Sequence, residues 1–429
     1  MKLAKLSPQV LFLLTFVGVI GLGWLLLLLP AAHASGGAAG SWLDHLFTAT
    51  SAVSTTGLAT LTFSEDYSTF GQVVVLVLFQ LGGLGYVLFA ALAALPGDGM
   101  HKTVKKTVKS GSYLPEHLDV RSFLRICLWF TLGAEVVGAV VLTVSFAGTG
   151  MAWGQAAWQG TFHSVSAFCT AGFGLDPDSL SDYSGNAAIL APVIALMMMG
   201  SIGFMAAAAV YERITTKARR LDYMTRAVVL LFAVALTAVT VLVWTTSATV
   251  RLTDLPFLNA LFLAATTLTG AGFSSVSTGA LGFGVLMAIV LPMCAGGAPS
   301  GTSGGIKLSN LSISFAALWS QAREYDDTQL AGEQLGHGQV REGMGTAFLY
   351  LLFLLVGIAW AFYLEGDTFA FEDLFFETVS AFGTVGLSRG ITADLSAATK
   401  GLYVGLMFVG RVGVLTLIFG LLKAPATDA

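Results

Sequence analysis

Leu46-Phe47-Thr48-Ala49-Thr50-Ser51-Ala52-Val53-Ser54-Thr55-Thr56-Gly57-Leu58 is a semi-polar stretch in an otherwise apolar chain, and its pattern occurs four times. The second copy is Thr161-Phe162-His163-Ser164-Val165-Ser166-Ala167-Phe168-Cys169-Thr170-Ala171-Gly172-Phe173. The third is Leu261-Phe262-Leu263-Ala264-Ala265-Thr266-Thr267-Leu268-Thr269-Gly270-Ala271-Gly272-Phe273, and the fourth Phe375-Phe376-Glu377-Thr378-Val379-Ser380-Ala381-Phe382-Gly383-Thr384-Val385-Gly386-Leu387. Aligned without gaps, Phe, Ser or Thr, and Gly hold the same three offsets. The shared glycines stand 115, 100 and 114 residues apart. Repetition at a near-constant period marks tandem structural units, here read as 1–100, 101–214, 215–322 and 323–429.

The chain around these copies belongs in a membrane. It has 429 residues, 55% hydrophobic and 11% charged, less than half the roughly 25% charge of soluble domains. Mean hydropathy is +0.79. A net charge of −4 gives no footprint for nucleic acid. Cys127, Cys169 and Cys294 lie in or beside apolar stretches, without the spacing of a disulfide framework or a cysteine metal site.

Apolar windows of about 20 residues give eight spans, at 8–29, 70–95, 123–147, 186–210, 225–247, 283–320 with an interruption, 345–364 and 401–422. The first follows Lys2 and Lys5 and precedes Ala32-His33-Ala34, the pattern of a cleavable leader. Its apolar run nevertheless reaches spanning length, whereas leader cores are about 7–15 residues, so it reads as a retained helix. Lys102, Lys105, Lys106, Lys109, Arg121, Arg125, Arg213, Lys217, Arg219, Arg220, Arg226, Arg323 and Arg341 gather on one set of loops. By the positive-inside rule these loops and both termini are cytoplasmic. The opposite loops carry only Arg251, Arg389 and Lys400 but many acids, among them Asp44, Asp176, Asp178, Asp373 and Asp394. An acidic outer mouth concentrates cations.

Each repeated stretch is about 10–12 residues long, too short to cross a bilayer, so it reads as a re-entrant loop. Non-helical backbone at membrane depth is tolerated only where protein or a water-filled cavity covers it. Four such loops most simply surround one axial pore. The expected fold is an all-α polytopic membrane protein, four tandem helix–pore loop–helix units with eight membrane helices around one pseudo-fourfold pore. Thr55, Thr56, Gly57, Thr170, Ala171, Gly172, Gly270, Ala271, Gly272, Thr384, Val385 and Gly386 would line the ion site through backbone carbonyls that replace a cation's hydration shell. The short helices would point their negative C-terminal ends at the ion. Gly270 makes the third segment look looser than the others.

Two further segments stand out. Ala295-Gly296-Gly297-Ala298-Pro299-Ser300-Gly301-Thr302-Ser303-Gly304-Gly305 is incompatible with regular helix and breaks the sixth span. A phosphate cradle there lacks its Gly-Lys-Ser/Thr ending, because Lys307 lies between Ile306 and Leu308. A hinge or a flexible gate below the ion site remains, over 295–305 with Gly296, Gly297, Gly301, Gly304, Gly305 and Lys307. Arg411 lies about ten residues inside the last span, too deep to snorkel with ease. The second helices align at Gly82-Gly83, Gly200-Ser201, Gly296-Gly297 and Gly410-Arg411, so one positive charge falls where the other units offer small residues. It is placed to repel cations or to pair with the gate.

These residues resemble the Trk/Ktr/HKT superfamily of potassium transporters, most closely the membrane subunit of bacterial Ktr systems. The marks are the four glycines, the run Ala298 to Lys307 after Met293, and Phe408-Val409-Gly410-Arg411-Val412-Gly413. The resemblance implies potassium uptake at the bacterial cytoplasmic membrane through one pore per subunit, with sodium as co-ion or activator left open. It also implies a homodimer gated by a cytosolic ring of nucleotide-binding subunits. In plant relatives a Ser at the first filter glycine goes with sodium preference, so Gly57 favours potassium. A sodium or non-selective pathway is the alternative.

Other classes fit less well. An inverted-repeat secondary transporter would show two units of opposite topology, not four alike. An enzyme would need a cluster of reactive side chains at one depth, and the chain offers only Glu135 and Arg411 inside the spans. Glu135 is assigned an interhelical hydrogen bond or a basic partner, His163 and Glu377 structural or mouth roles, and Cys169 small-residue packing. The longest cytoplasmic loops are too short for a nucleotide-binding domain, so such control must come from a separate protein. The basic loop 101–125 would meet membrane lipid or, with 321–344, dock that protein. No cofactor is expected in the chain itself.

Overall fold

Each repeat folds as a long apolar helix, a short helix ending three or four residues before its repeated glycine, and a second helix that is broken in the last two repeats. The computed structural model describes residues 8–37, 40–94, 120–216, 223–250, 256–298, 301–325, 327–330 and 333–422. Lys2, Lys5, the basic loop 101–119, Lys217, Arg219, Arg220, Arg251, Pro299, Ser300 and both ends of the chain lie outside them. The first unit has α1 (Pro8–Leu27), α2 (Trp42–Val53) and α3 (Thr69–Ala94). The second has α4 (Val120–Ala147), α5 (Trp153–Phe168) and α6 (Ala187–Thr216), and the third α7 (Tyr223–Val250), α8 (Phe257–Thr269), α9 (Phe283–Cys294) and α10 (Leu308–Ala322). The fourth has α11 (His337–Glu365), α12 (Phe371–Gly383), α13 (Ala397–Val412) and α14 (Val414–Leu422). Two-residue strands β1 (Ala295–Gly296) and β2 (Ile306–Lys307) pair in parallel, and β3 (Gln329–Leu330) with β4 (Glu333–Gln334) antiparallel.

Among the described residues, five helices are long and apolar enough to cross a membrane, within α1, α4, α6, α7 and α11. The first packs onto α2, α3 and α14, so it is part of the fold. The interrupted span breaks between Cys294 and Leu308, two residues beyond the expected 295–305. The last span was read as one helix and is two, because Gly413 takes φ +89° between α13 and α14. Likewise α6 kinks at Gly203, φ +87°. Only glycine reaches such angles at little cost.

The units close on one another. The second helix of each packs against the short helix of the next, α3 on α5, α6 on α8, α9 on α12, and α13 back on α2. Small residues also let each second helix lie close against the short helix of its own unit. A Cβ on Gly82 would lie 2.1 Å from the Val53 carbonyl oxygen, on Gly200 1.8 Å from that of Phe168, and on Gly410 2.0 Å from that of Phe382. The corresponding Gly296 faces the Gly304 carbonyl instead, because the third second-helix is broken there. The shared aromatic of the repeat, Phe47, Phe162, Phe262 and Phe376, is buried in every copy. One apolar core serves mainly the first two units and another the last two, the latter reaching across to Phe47 and Leu58.

An ion pair joins the fourth unit to the first. Lys400 Nζ is 3.0 Å from Asp44 Oδ1, and Asp44 also closes a capping box with Ser41 at the start of α2. Burial alone would raise this carboxyl, but hydrogen bonds from Ser41 and Lys400 bring it down to about 2.

Candidate cation site

The end of each short helix is held by its own serine or threonine. The N–H of Thr56 bonds the Ser51 carbonyl at 2.8 Å, Ala171 that of Ser166 at 2.8 Å, Ala271 that of Thr266 at 2.9 Å and Val385 that of Ser380 at 2.9 Å. Ser51 and Ser380 hydroxyls accept from the N–H of Gly57 and Gly386, each at 3.0 Å. One residue earlier the backbone is left-handed in all four copies, with φ +53° at Thr55, +52° at Thr170, +52° at Thr384 and +64° at Gly270. Gly270 therefore adopts the same geometry as its counterparts, and the looser third segment expected from its glycine is not found. What the glycine removes is the cost of a side chain in this conformation, on the order of 1–2 kcal/mol.

The four segments touch in a closed cycle. A Cβ on Gly57 would lie 2.6 Å from the Ala171 carbonyl oxygen, on Gly172 2.5 Å from that of Ala271, on Gly272 2.3 Å from that of Val385, and on Gly386 1.9 Å from that of Thr56. Thr56, Ala171, Ala271 and Val385 are fully buried. Among the described residues no N–H or O–H donates to their carbonyl oxygens. Buried carbonyls are nearly always paired. Four undonated ones in one cycle, just beyond the negative C-terminal ends of four helices, are chemically suited to a cation.

All four glycines also line one open cavity of about 630 Å³. Asp176, Asp178 and Arg389 are among its lining residues. Burial pushes the Asp176 carboxyl up, Gln159 Nε2 opposes this from 3.2 Å, and Asp182 adds to it. Arg389 is paired with Asp373. Glu377 braces the loop after the fourth glycine, accepting from the Arg389 N–H at 3.0 Å and Thr392 Oγ1 at 3.2 Å, and from Ser388. His163 is buried against Phe146, Phe162 and Phe273, its Nδ1 2.9 Å from the Gln159 carbonyl.

On the other side of the glycines sits the Gly-rich run. Its amides are consumed internally or by neighbours: Gly297 N–H by Ser303 Oγ at 2.8 Å, Ala298 by Ser201 O at 2.9 Å, Thr302 by Gly200 O at 3.1 Å and Gly305 by Gly410 O at 3.3 Å. These amides form no free nest for phosphate. A Cβ on Gly301 would lie 2.5 Å from Ser201 O, and on Gly304 2.1 Å from Thr384 Oγ1, so the run is seated directly beneath the left-handed ring. Lys307 Nζ donates to the Ser303 carbonyl.

Thr302, which the sequence reading did not single out, is the hub. Its hydroxyl is 3.1 Å from Thr170 Oγ1 and donates to Phe168 O at 3.1 Å, while its carbonyl accepts from Thr55 Oγ1 at 3.3 Å. Arg411 donates to that same carbonyl, to Thr55 Oγ1 at 3.0 Å and to the Gly82 carbonyl. Arg411 is the next-to-last residue of α13, just before the Gly413 break, rather than deep within a continuous helix. No local pattern announces Thr302, since its partners lie more than 100 residues away in sequence.

Glu135 is buried on α4, with Cys169 Sγ 4.0 Å from its Oε1 and no basic partner among the described residues. Cys169 Sγ also donates to Gln80 Oε1 at 3.2 Å and fills the space beside Gly83.

The model of the TrkH family, described as a cation transport protein, matches residues 13–426. The chain is 30% identical to the Ktr system potassium uptake protein B of Bacillus subtilis, over 98% of this chain and 94% of that one. It is 31% identical to the potassium/sodium uptake protein NtpJ of Enterococcus hirae, over 99% and 95%. In fold it resembles the crystal structure of the potassium transporter TrkH from Vibrio parahaemolyticus, with a TM-score of 0.68 at 19% identity, covering 90% of this chain and 79% of that one.

Proposed function

The chain belongs to the TrkH family of cation transport proteins, and from that membership we propose that it takes potassium up across the bacterial cytoplasmic membrane through the ring of carbonyls at Gly57, Gly172, Gly272 and Gly386. The observation that carries this reading is the closed cycle of buried carbonyls without donors. An ion arriving from the acidic vestibule exchanges its water for these oxygens, whose amide ends are fixed to the short helices. Passage onward is barred by the run 295–305. Thr302 caps the inner threonine ring, and Arg411 fastens it there, its fixed charge standing where a permeating cation must pass. Conduction requires both to move. In this reading eight membrane helices surround one pore per chain, with both termini cytoplasmic, and the chain works as a homodimer in lipid. The name of the Bacillus relative, protein B of a Ktr system, supports a further protein partner, which in this reading is cytosolic, binds a nucleotide and moves the gate.

A second reading is a pathway open to sodium as well, and the name of the Enterococcus relative favours it. Rubidium uptake into proteoliposomes holding the purified protein, driven by an internal potassium load and challenged with external sodium, separates the two. Uptake that resists excess sodium is the expected result. Uptake abolished by sodium would move the assignment to a sodium or non-selective route.

A further inference from the structure

The four short helices share a feature outside the ion site. Each begins with an aromatic residue, Trp42, Trp153, Phe257 and Phe371, and each of these is exposed, at 61%, 68%, 54% and 58%. The chain enters each helix through an extended residue, Ser41, Ala152, Pro256 or Ala370, which turns the first helical side chain outward. Within about one turn the same helices become buried. Trp42, Phe257 and Phe371 each stand 15 residues before their shared glycine and Trp153 stands 19 before its own, one turn further out on a longer helix. Large rings exposed at the starts of all four helices are costly in water, and a membrane–water interface accommodates them.

Three of the four are also clasped by an aromatic of their own unit's first helix. Trp24 lies edge-on to Trp42 at 6.3 Å and donates its indole N–H to the Trp42 carbonyl at 2.9 Å. Trp244 meets Phe257 at 5.8 Å and Phe362 meets Phe371 at 5.1 Å. These clasps tie the starts of three of the short helices to the end of a helix long enough to cross the membrane. They fix the aromatic at one level relative to the bilayer.

We propose that Trp42, Trp153, Phe257 and Phe371 form a lipid-binding belt, seated at the headgroup–acyl boundary of the vestibule-side leaflet, that sets the depth of the ion site in the membrane. The occupant is lipid rather than a second copy of the chain, because the four positions follow the four units around the ring. A two-fold protein contact covers one side of such a ring, not all of it.

The test places a nitroxide at each position in the full-length protein in liposomes, through Trp42→Cys, Trp153→Cys, Phe257→Cys and Phe371→Cys. Cys127 and Cys169 are fully buried, and Cys294→Ala removes the remaining thiol. Relative accessibility to oxygen and to a water-soluble nickel chelate reports depth. The labels at 42, 257 and 371 are expected at the same depth, just inside the headgroups, and the label at 153 within one helical turn of them. Labels fully open to the chelate, at depths differing by more than a helical turn, or shielded from both reagents as in a protein contact, would overturn the proposal. Should a cysteine variant fail to fold, the native indoles give an independent reading. Trp42→Phe and Trp153→Phe are each expected to lower fluorescence quenching by lipids brominated near the headgroup and to leave quenching by chain-end bromines unchanged. The reverse pattern would overturn it equally.

Discussion

Gly57→Ser raises the sodium-to-potassium permeability ratio by about tenfold or more in a protein that otherwise folds normally. Gly57 sits at φ +92°, and a Cβ there would lie 2.6 Å from the Ala171 carbonyl oxygen and 3.1 Å from Gly172 Cα. Both neighbours are backbone of the next segment in the ring, so neither can rotate away. The added side chain must push one coordinating carbonyl outward while its own backbone is strained, at a cost on the order of 1–3 kcal/mol. A ring set for the larger ion then loses its fit, and about 1.4 kcal/mol of differential binding is tenfold in selectivity. Permeability ratios from reversal potentials, or competitive uptake of rubidium and sodium, check it. An unchanged ratio would remove Gly57 from the ion site.

Arg411→Ala raises flux, and so does shortening Gly296 to Gly305. In the proposed function Arg411 is the bolt of a closed gate; it is bonded to the Thr302 carbonyl, to Thr55 and to the Gly82 carbonyl, and so links α13, the Gly-rich run and α3. Hydrogen bonds made by a charged group contribute about 1.5–3 kcal/mol each. Losing even one that exists only in the closed state increases the open population roughly tenfold or more. The alanine variant also removes the fixed positive charge from the ion's path, which acts in the same direction. Initial rates of rubidium uptake measure both variants. Flux at the wild-type level in each would mean that neither the run nor the arginine limits conduction.

Much of this was legible from residue types alone, because the ion site depends on local chemistry repeated four times. Phe and Gly at fixed offsets encode an anchor in the core and a backbone that admits its neighbour, while the Ser or Thr between them closes the turn through its backbone carbonyl in every copy and through its hydroxyl at Ser51 and Ser380. Gly270 shows the limit of reading residues singly. Its glycine suggested a loose segment, yet the short helix end imposes one backbone angle on threonine and glycine alike. The breaks at Gly203 and Gly413 were hidden for the opposite reason, since glycine is ordinary in membrane helices and only its neighbours' packing selects the bent form. Arg411 was found by its charge, but its position at a helix end followed from Gly413. Thr302 was invisible, because a hydroxyl and a carbonyl acquire a role only when units far apart in sequence close around them. The aromatic first residues of the short helices were in plain view, and their meaning needed the exposure that the fold assigns.

The most direct test of the central claim is to locate the ion. Crystals of the protein grown with thallium or rubidium, recorded at the absorption edge of that metal, give an anomalous difference map. The account predicts density on the axis between the carbonyl oxygens of Thr56, Ala171, Ala271 and Val385. Density confined to other parts of the chain, with none inside that ring, would contradict it.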